Sequence, residues 1–101
     1  DGAMPYLAPE ISKGEPADLR SEVYSLGITA FEMVTGKRPY PEKDSAVFAK
    51  MRCENEIPDP KDFVPDIPDS LQCFIITACR LDPGERYASI QQAMKALQTD
   101  Y

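Results

Sequence analysis

Histidine and tryptophan are absent from the 101 residues, cysteine occurs three times, and 11 Lys and Arg face 17 Asp and Glu for a net charge of −6. Without histidine there is no His-based triad, no imidazole general base and none of the commonest zinc sites. Chemistry is left to carboxylates, hydroxyls and thiols. Cys53, Cys73 and Cys79 are odd in number and lack a C-x-x-C spacing, so neither a disulfide framework nor a four-ligand zinc site is expected. They read as small buried hydrophobes in a reducing, cytoplasmic setting. No basic block occurs, so nucleic acid and anionic membrane have no electrostatic footing. Apolar runs are too short for a membrane span or a signal peptide. The chain opens on Asp1 rather than Met, from which a piece of a longer polypeptide is expected.

What is present is ordinary globular material, 43% hydrophobic and 28% charged. A chain of this length buries about two-thirds of its extended surface, enough for one modest core. The stretch Asp1–Pro16 carries three prolines and reads as loop, with at most one helical turn at Ala8–Ser12. Asp18 is a good N-cap, and no proline interrupts Leu19–Thr35 before Gly36, a natural helix stop. The spacing predicts one long helix there. Its apolar residues form two faces, Leu19, Val23, Leu26, Ala30 and Val34 on one and Tyr24, Ile28 and Phe31 on another, so it belongs at the centre. Gly27 in its middle costs about 1 kcal/mol against alanine, which suits a close approach by another backbone.

A shorter helix is expected over Asp44–Cys53. Pro58, Pro60, Pro65 and Pro68 then mark an ordered loop. Leu71, Phe74, Ile75 and Ala78 repeat at i, i+3, i+4, i+7 and predict a helix from about Pro68 to Arg80. Asp82-Pro83-Gly84 makes a turn, and Ser89 with Gln92 forms a capping box for a last helix reaching about Thr99. No segment alternates with period two. The fold class is therefore all-α, a central helix of about 18–35 with three further helices and long ordered loops.

Four strings carry a resemblance. Gly2-Ala3-Met4-Pro5-Tyr6-Leu7-Ala8-Pro9-Glu10 is similar to G-T-x-x-Y-x-A-P-E, and Ser21-Glu22-Val23-Tyr24-Ser25-Leu26-Gly27 to S-D-V-W-S-L-G. Thr35-Gly36-Lys37-Arg38-Pro39-Tyr40 is similar to T-G-x-x-P-F, and Leu81-Asp82-Pro83-Gly84-Glu85-Arg86-Tyr87 to L-D-P-x-x-R-Y. In this order they make the chain resemble the C-terminal lobe of eukaryotic-type serine/threonine protein kinases. The resemblance implies a single partial domain over 1–101: the end of the activation segment (1–17), the central helix (18–36) and the lower helices (37–101). It also implies a parent that moves the γ-phosphate of ATP to protein Ser or Thr with Mg²⁺. The glycine loop, strand lysine, H-R-D and D-F-G of that family are not among these residues, so no catalytic, metal or cofactor-binding residue is assigned here.

By the same resemblance, Glu10 and Arg86 pair as a buried ion pair tying the activation segment to the lower helices. Gly2, Ala3, Met4, Pro5, Tyr6 and Leu7 form the loop receiving the protein substrate, and Glu32 sits where some relatives pair with a substrate arginine. Glu22 stands in place of an aspartate that anchors the catalytic loop, and Ala3 in place of a Thr or Ser that bonds the catalytic aspartate. These two departures keep open a second reading, a pseudokinase-like binding or regulatory module. A central helix with two apolar faces also expects cover from the missing N-terminal part of the kinase domain. Without it, self-association is expected, through exchange of the Asp1–Pro16 segment.

Overall fold

The computed structural model describes residues 7–39, 50 and 53–99. The helix expected over Asp44–Cys53 falls outside them, save for Lys50 and Cys53. Among the described residues the protein is all-helical: α1 (Pro9–Ser12), α2 (Leu19–Thr35), α3 (Asp69–Ala78) and α4 (Ile90–Thr99), with 3-10 turns at Pro60–Asp62 and Pro83–Glu85.

α2 is the axis on which α3, α4 and both 3-10 turns pack. It starts where Asp18 accepts a hydrogen bond from the Ser21 backbone N–H at 3.0 Å, while the Ser21 hydroxyl accepts from the Asp18 N–H at 3.3 Å, a reciprocal cap. It stops at Gly36, whose φ of 72° lies in the left-handed region and whose N–H reaches the Glu32 carbonyl at 2.8 Å. Thr35 secures the turn by donating to the Phe31 carbonyl and accepting from the Lys37 N–H. Helix bounds therefore follow local cap chemistry already present in the sequence.

Two apolar clusters flank α2. Ala8, Tyr24, Ile28 and Cys79 join α1, α2 and the end of α3, with Ile11 and Ile57 at the margin. Phe31, Phe74, Ile75 and Ala93 join α2, α3 and α4, with Leu26, Ala30, Val34, Leu71, Tyr87 and Leu97 around them. Phe74 stacks on Tyr87, centroids 6.0 Å apart, so the last loop is held to α3 by an aromatic pair. The close approach expected at Gly27 is present: a Cβ there would lie 2.9 Å from the Ala78 Cβ and closer still to the Cys79 sulfur.

Four expectations need correction. Cys79 is buried and Cys53 half-buried, but Cys73 is exposed, because it falls on the face of α3 opposite Phe74, Ile75 and Ala78. Leu19 is 57% exposed rather than core, since it sits in the first turn of α2 before any described element reaches over it. The cap of α4 is offset by one residue. Ser89 accepts from the Gln92 N–H at 3.2 Å, while Gln92 accepts from Ala88 rather than from Ser89. α3 itself is shorter than expected, with Pro68 as its N-cap and Cys79 as its C-cap.

Candidate functional site

The site is built where the end of the opening segment meets the base of the helices. Pro9 at the first position of α1 presets the backbone for a helical turn, and that turn carries Glu10 toward the N-terminus of α2. From the other end of the chain, the 3-10 turn Pro83–Glu85 delivers Arg86 to the same point. Arg86 Nη1 donates to Glu10 Oε2 at 2.8 Å and Nη2 to Oε1 at 2.9 Å, across 76 positions of sequence. The fork-on-carboxylate geometry is the strong form of this bond.

The Arg86 side chain has no solvent exposure and Glu10 only 9%. Such a buried charge is stable only if every donor finds a partner, and here all are used. Besides Glu10, Nε donates to the Arg80 carbonyl at 2.7 Å, Nη1 to the Arg20 carbonyl at 3.1 Å and Nη2 to the Leu81 carbonyl at 3.3 Å. These account for all five guanidinium N–H groups. The plane also lies 4.8 Å over the Tyr24 ring, where the π face favours a cation. A lysine could reproduce neither the fork nor the stacking.

Burial pushes the Glu10 carboxyl toward neutrality, but hydrogen bonds from Arg86, from its own backbone N–H and from Ser21, with the charge of Arg86, hold it below the ordinary carboxylate value. Ser21 was not singled out in the sequence. Its hydroxyl donates to Glu10 Oε2 at 2.9 Å and is itself buried. The readable signal was Asp18-x-x-Ser21, a polar residue at the third helical position able to reach back to the cap. Glu56 was also missed. It accepts from the Leu81 N–H at 2.7 Å and lies 3.8 Å from Arg80, fixing the strand of loop that supplies two of the Arg86 acceptors.

The structure brings Glu10 and Arg86 together; among the other sequence-derived residues it describes, Leu7, Glu22 and Glu32 are not part of that pair. Leu7 is half-buried just ahead of α1, while Gly2, Ala3, Met4, Pro5 and Tyr6 are outside the described residues. Glu22 is exposed in the first turn of α2. Glu32 is half-buried near the far end of that helix, roughly 16 Å along the axis from Ser21 at 1.5 Å per residue. Among the described residues no group of three or more acidic or thiol side chains could hold a metal ion. No helix among them is long and apolar enough to cross a membrane.

Comparison with protein families matches residues 1–101 to the protein kinase domain. The chain is 31% identical over 100 residues to the serine/threonine-protein kinase PrkC of Bacillus subtilis, covering 99% of this chain and 15% of that protein. It is 36% identical over 97 residues to the serine/threonine-protein kinase PknD of Chlamydia abortus, covering 94% of this chain and 10% of that one. It is also 28% identical over 98 residues to the tyrosine-protein kinase MasK of Myxococcus xanthus, again over 97% of this chain and 15% of the relative. The chain thus spans about a seventh or less of the length of these curated relatives.

Proposed function

Because the chain belongs to the protein kinase domain family, we propose that it is the substrate-side, C-lobe portion of a serine/threonine protein kinase whose whole polypeptide transfers the γ-phosphate of ATP to protein hydroxyls. The observation that carries the reading is the buried Glu10–Arg86 fork, which ties the segment ending at Ser12 to the helical base. In this reading Gly2–Leu7 receive the protein substrate, the pair holds that loop in place, and Glu32 offers a carboxylate at the far end of α2. Glu22 anchors the catalytic loop supplied by the preceding part of the domain.

ATP and Mg²⁺ would bring the transferring phosphoryl and its charge neutralisation. The groups that hold them in this family, the glycine-rich loop, strand lysine, H-R-D and D-F-G, are not in this sequence. No step of transfer is assigned to this chain, and alone it is catalytically incompetent. Its task is positioning, which is worth a large share of phosphoryl-transfer catalysis. Leu19, Glu22, Leu26, Thr29 and Met33 lie on one side of α2, with Leu19 and Met33 at 57% and 80% exposure. In this reading that side receives the N-terminal part of a kinase domain. A reducing cytoplasmic compartment suits three cysteines with no disulfide among them.

Ala3 and Glu22 support the second reading, a pseudokinase-like module that binds without transferring phosphate. The test is calorimetric titration of Mg-ATP into this chain and into the longer polypeptide encoding it, with phosphoamino-acid analysis of a protein acceptor. Silence from the chain with binding and phosphoserine or phosphothreonine from the longer protein supports the kinase reading. Binding without transfer favours the module, and phosphoryl transfer by the chain alone overturns the assignment of incompetence.

A further inference from the structure

The docked segment is held by a serine whose one proton has two carboxylates to choose from. Ser21 Oγ lies 2.9 Å from Glu10 Oε2 and 3.3 Å from Asp18 Oδ1. The first distance is within the range of an O–H···O bond and the second outside it, so the proton is on the Glu10 side while the segment is docked. We propose that Ser21 is a release latch, its hydroxyl serving Glu10 when the segment 7–12 is docked and turning to Asp18 when the segment leaves.

Three features of the base make release feasible. The buried Ser21 hydroxyl keeps an acceptor in either state, because Asp18 Oδ1 is already fixed beside it by the Ser21 backbone N–H at 3.0 Å. Arg86 keeps its three carbonyl acceptors, Arg20, Arg80 and Leu81, and its place on Tyr24, none of which belongs to the segment. The hinge is ready, since residues 13–17 are exposed and Gly14 takes a φ of 88°, a left-handed conformation that glycine adopts without strain. Release therefore strips partners only from the two Arg86 N–H groups that Glu10 held, and these face the opening the segment leaves, where water reaches them, while the other three keep their carbonyls; that limits the usual cost of opening a buried ion pair. The charged groups gathered at Glu10 are Arg86 directly and Asp18 through the serine, and neither moves with the segment. Docking is completed by Ala8 and Ile11 against Tyr24, Ile28 and Cys79.

The docking equilibrium rests only on this geometry; its meaning for substrate handling rests on the kinase reading. Native-state amide exchange on the full chain tests it without any activity measurement. The segment is reported by the Ile11 N–H, bonded to the Ala8 carbonyl, and by those of Lys13, Gly14 and Glu15, bonded back to Glu10, Ile11 and Glu10, since a helical turn of four residues does not persist once undocked; the α2 cap is reported by those of Ser21 and Glu22. The Cys79 N–H, bonded to the Ile75 carbonyl, serves as the reference for global folding. Ser21→Ala should lower segment protection about tenfold or more relative to Cys79, as expected for losing a bond to a charged group, and Ser21→Thr should restore it. Asp18→Ala should lower protection at Ser21 and Glu22 while leaving the segment as protected as before or more so, because the competing acceptor is gone. Equal loss at the segment in Asp18→Ala and Ser21→Ala would reduce Ser21 to a helix cap and overturn the proposal, as would unchanged segment protection in Ser21→Ala or no recovery in Ser21→Thr.

Discussion

Gly27 and Ala78 are in contact across the α2–α3 crossing, so close that a Cβ on Gly27 would sit 2.9 Å from that of Ala78 and nearer still to the Cys79 sulfur. The helix accepts a glycine at its centre because the packing forbids anything larger. Gly27→Ala should therefore destabilise the protein by about 1–3 kcal/mol through overpacking, outweighing the gain of about 1 kcal/mol in helix propensity. Cys79→Ala should recover part of the loss in the double mutant, since it removes one of the two opposing atoms. Urea unfolding of the four variants checks this, and additivity would contradict it.

Removing either side of the Glu10–Arg86 pair should be costly, but not equally. Arg86→Ala strands Glu10 and empties the sites of three backbone carbonyls, whereas Glu10→Ala leaves Arg86 on those carbonyls. Breaking a buried pair costs about 3–5 kcal/mol, and Arg86→Ala belongs at the top of that range with Glu10→Ala at or below its foot. Chemical denaturation of the two single mutants decides it; a larger loss in Glu10→Ala would contradict the geometry.

Acid should destabilise the fold in a way that Glu10→Gln blunts. The folded-state pKa of Glu10 lies below its ordinary value of 4.5. That of Asp18 lies below 3.8, chiefly because the Ser21 backbone N–H bonds its carboxylate. Asp59 lies below 3.8 as well, through Gln72 first and then the Lys61 N–H. Groups with depressed folded values contribute stability that is full above the unfolded values and is lost as pH falls through the folded ones. Stability should be flat from neutral pH to about 5 and drop below it, with a shallower drop in Glu10→Gln. Thermal midpoints between pH 7 and pH 2.5 would show this, and a fall beginning near neutrality would point to other groups.

The exposed side of α2 should drive self-association of the isolated chain. Met33 at 80% and Leu19 at 57% exposure leave large side chains in water at opposite ends of that side. Light scattering at micromolar concentration should report a mass above 11.3 kDa, falling toward it in a Leu19→Lys, Met33→Lys double mutant. A monomeric mass for the unmodified chain would remove the idea.

Much of this architecture was legible in the sequence because it is local. Asp18 and Gly36 bound α2, and the Leu71, Phe74, Ile75, Ala78 spacing located α3, since cap chemistry and helical period act within a few residues. Gly27 was readable as a contact but not its partner, which depends on how α3 crosses. Glu10 and Arg86 were readable only through the resemblance, as no local rule links residues 76 positions apart. The three carbonyls around Arg86 and the bridging Ser21 were not legible at all. Backbone acceptors leave no mark on residue type, and a serine inside a helix most often signifies nothing.

The central claim, that this chain is a working substrate-side lobe, is tested most directly by exchange into a relative. The matching stretch of the Bacillus subtilis kinase PrkC would be replaced by these 101 residues, and γ-phosphate transfer from Mg-ATP to a protein acceptor measured, with and without Ala3→Thr and Glu22→Asp. The account predicts a folded chimera that phosphorylates serine or threonine, with higher kcat once those two residues are changed. A chimera that folds and binds Mg-ATP yet transfers no phosphate, even with both changes, would contradict it.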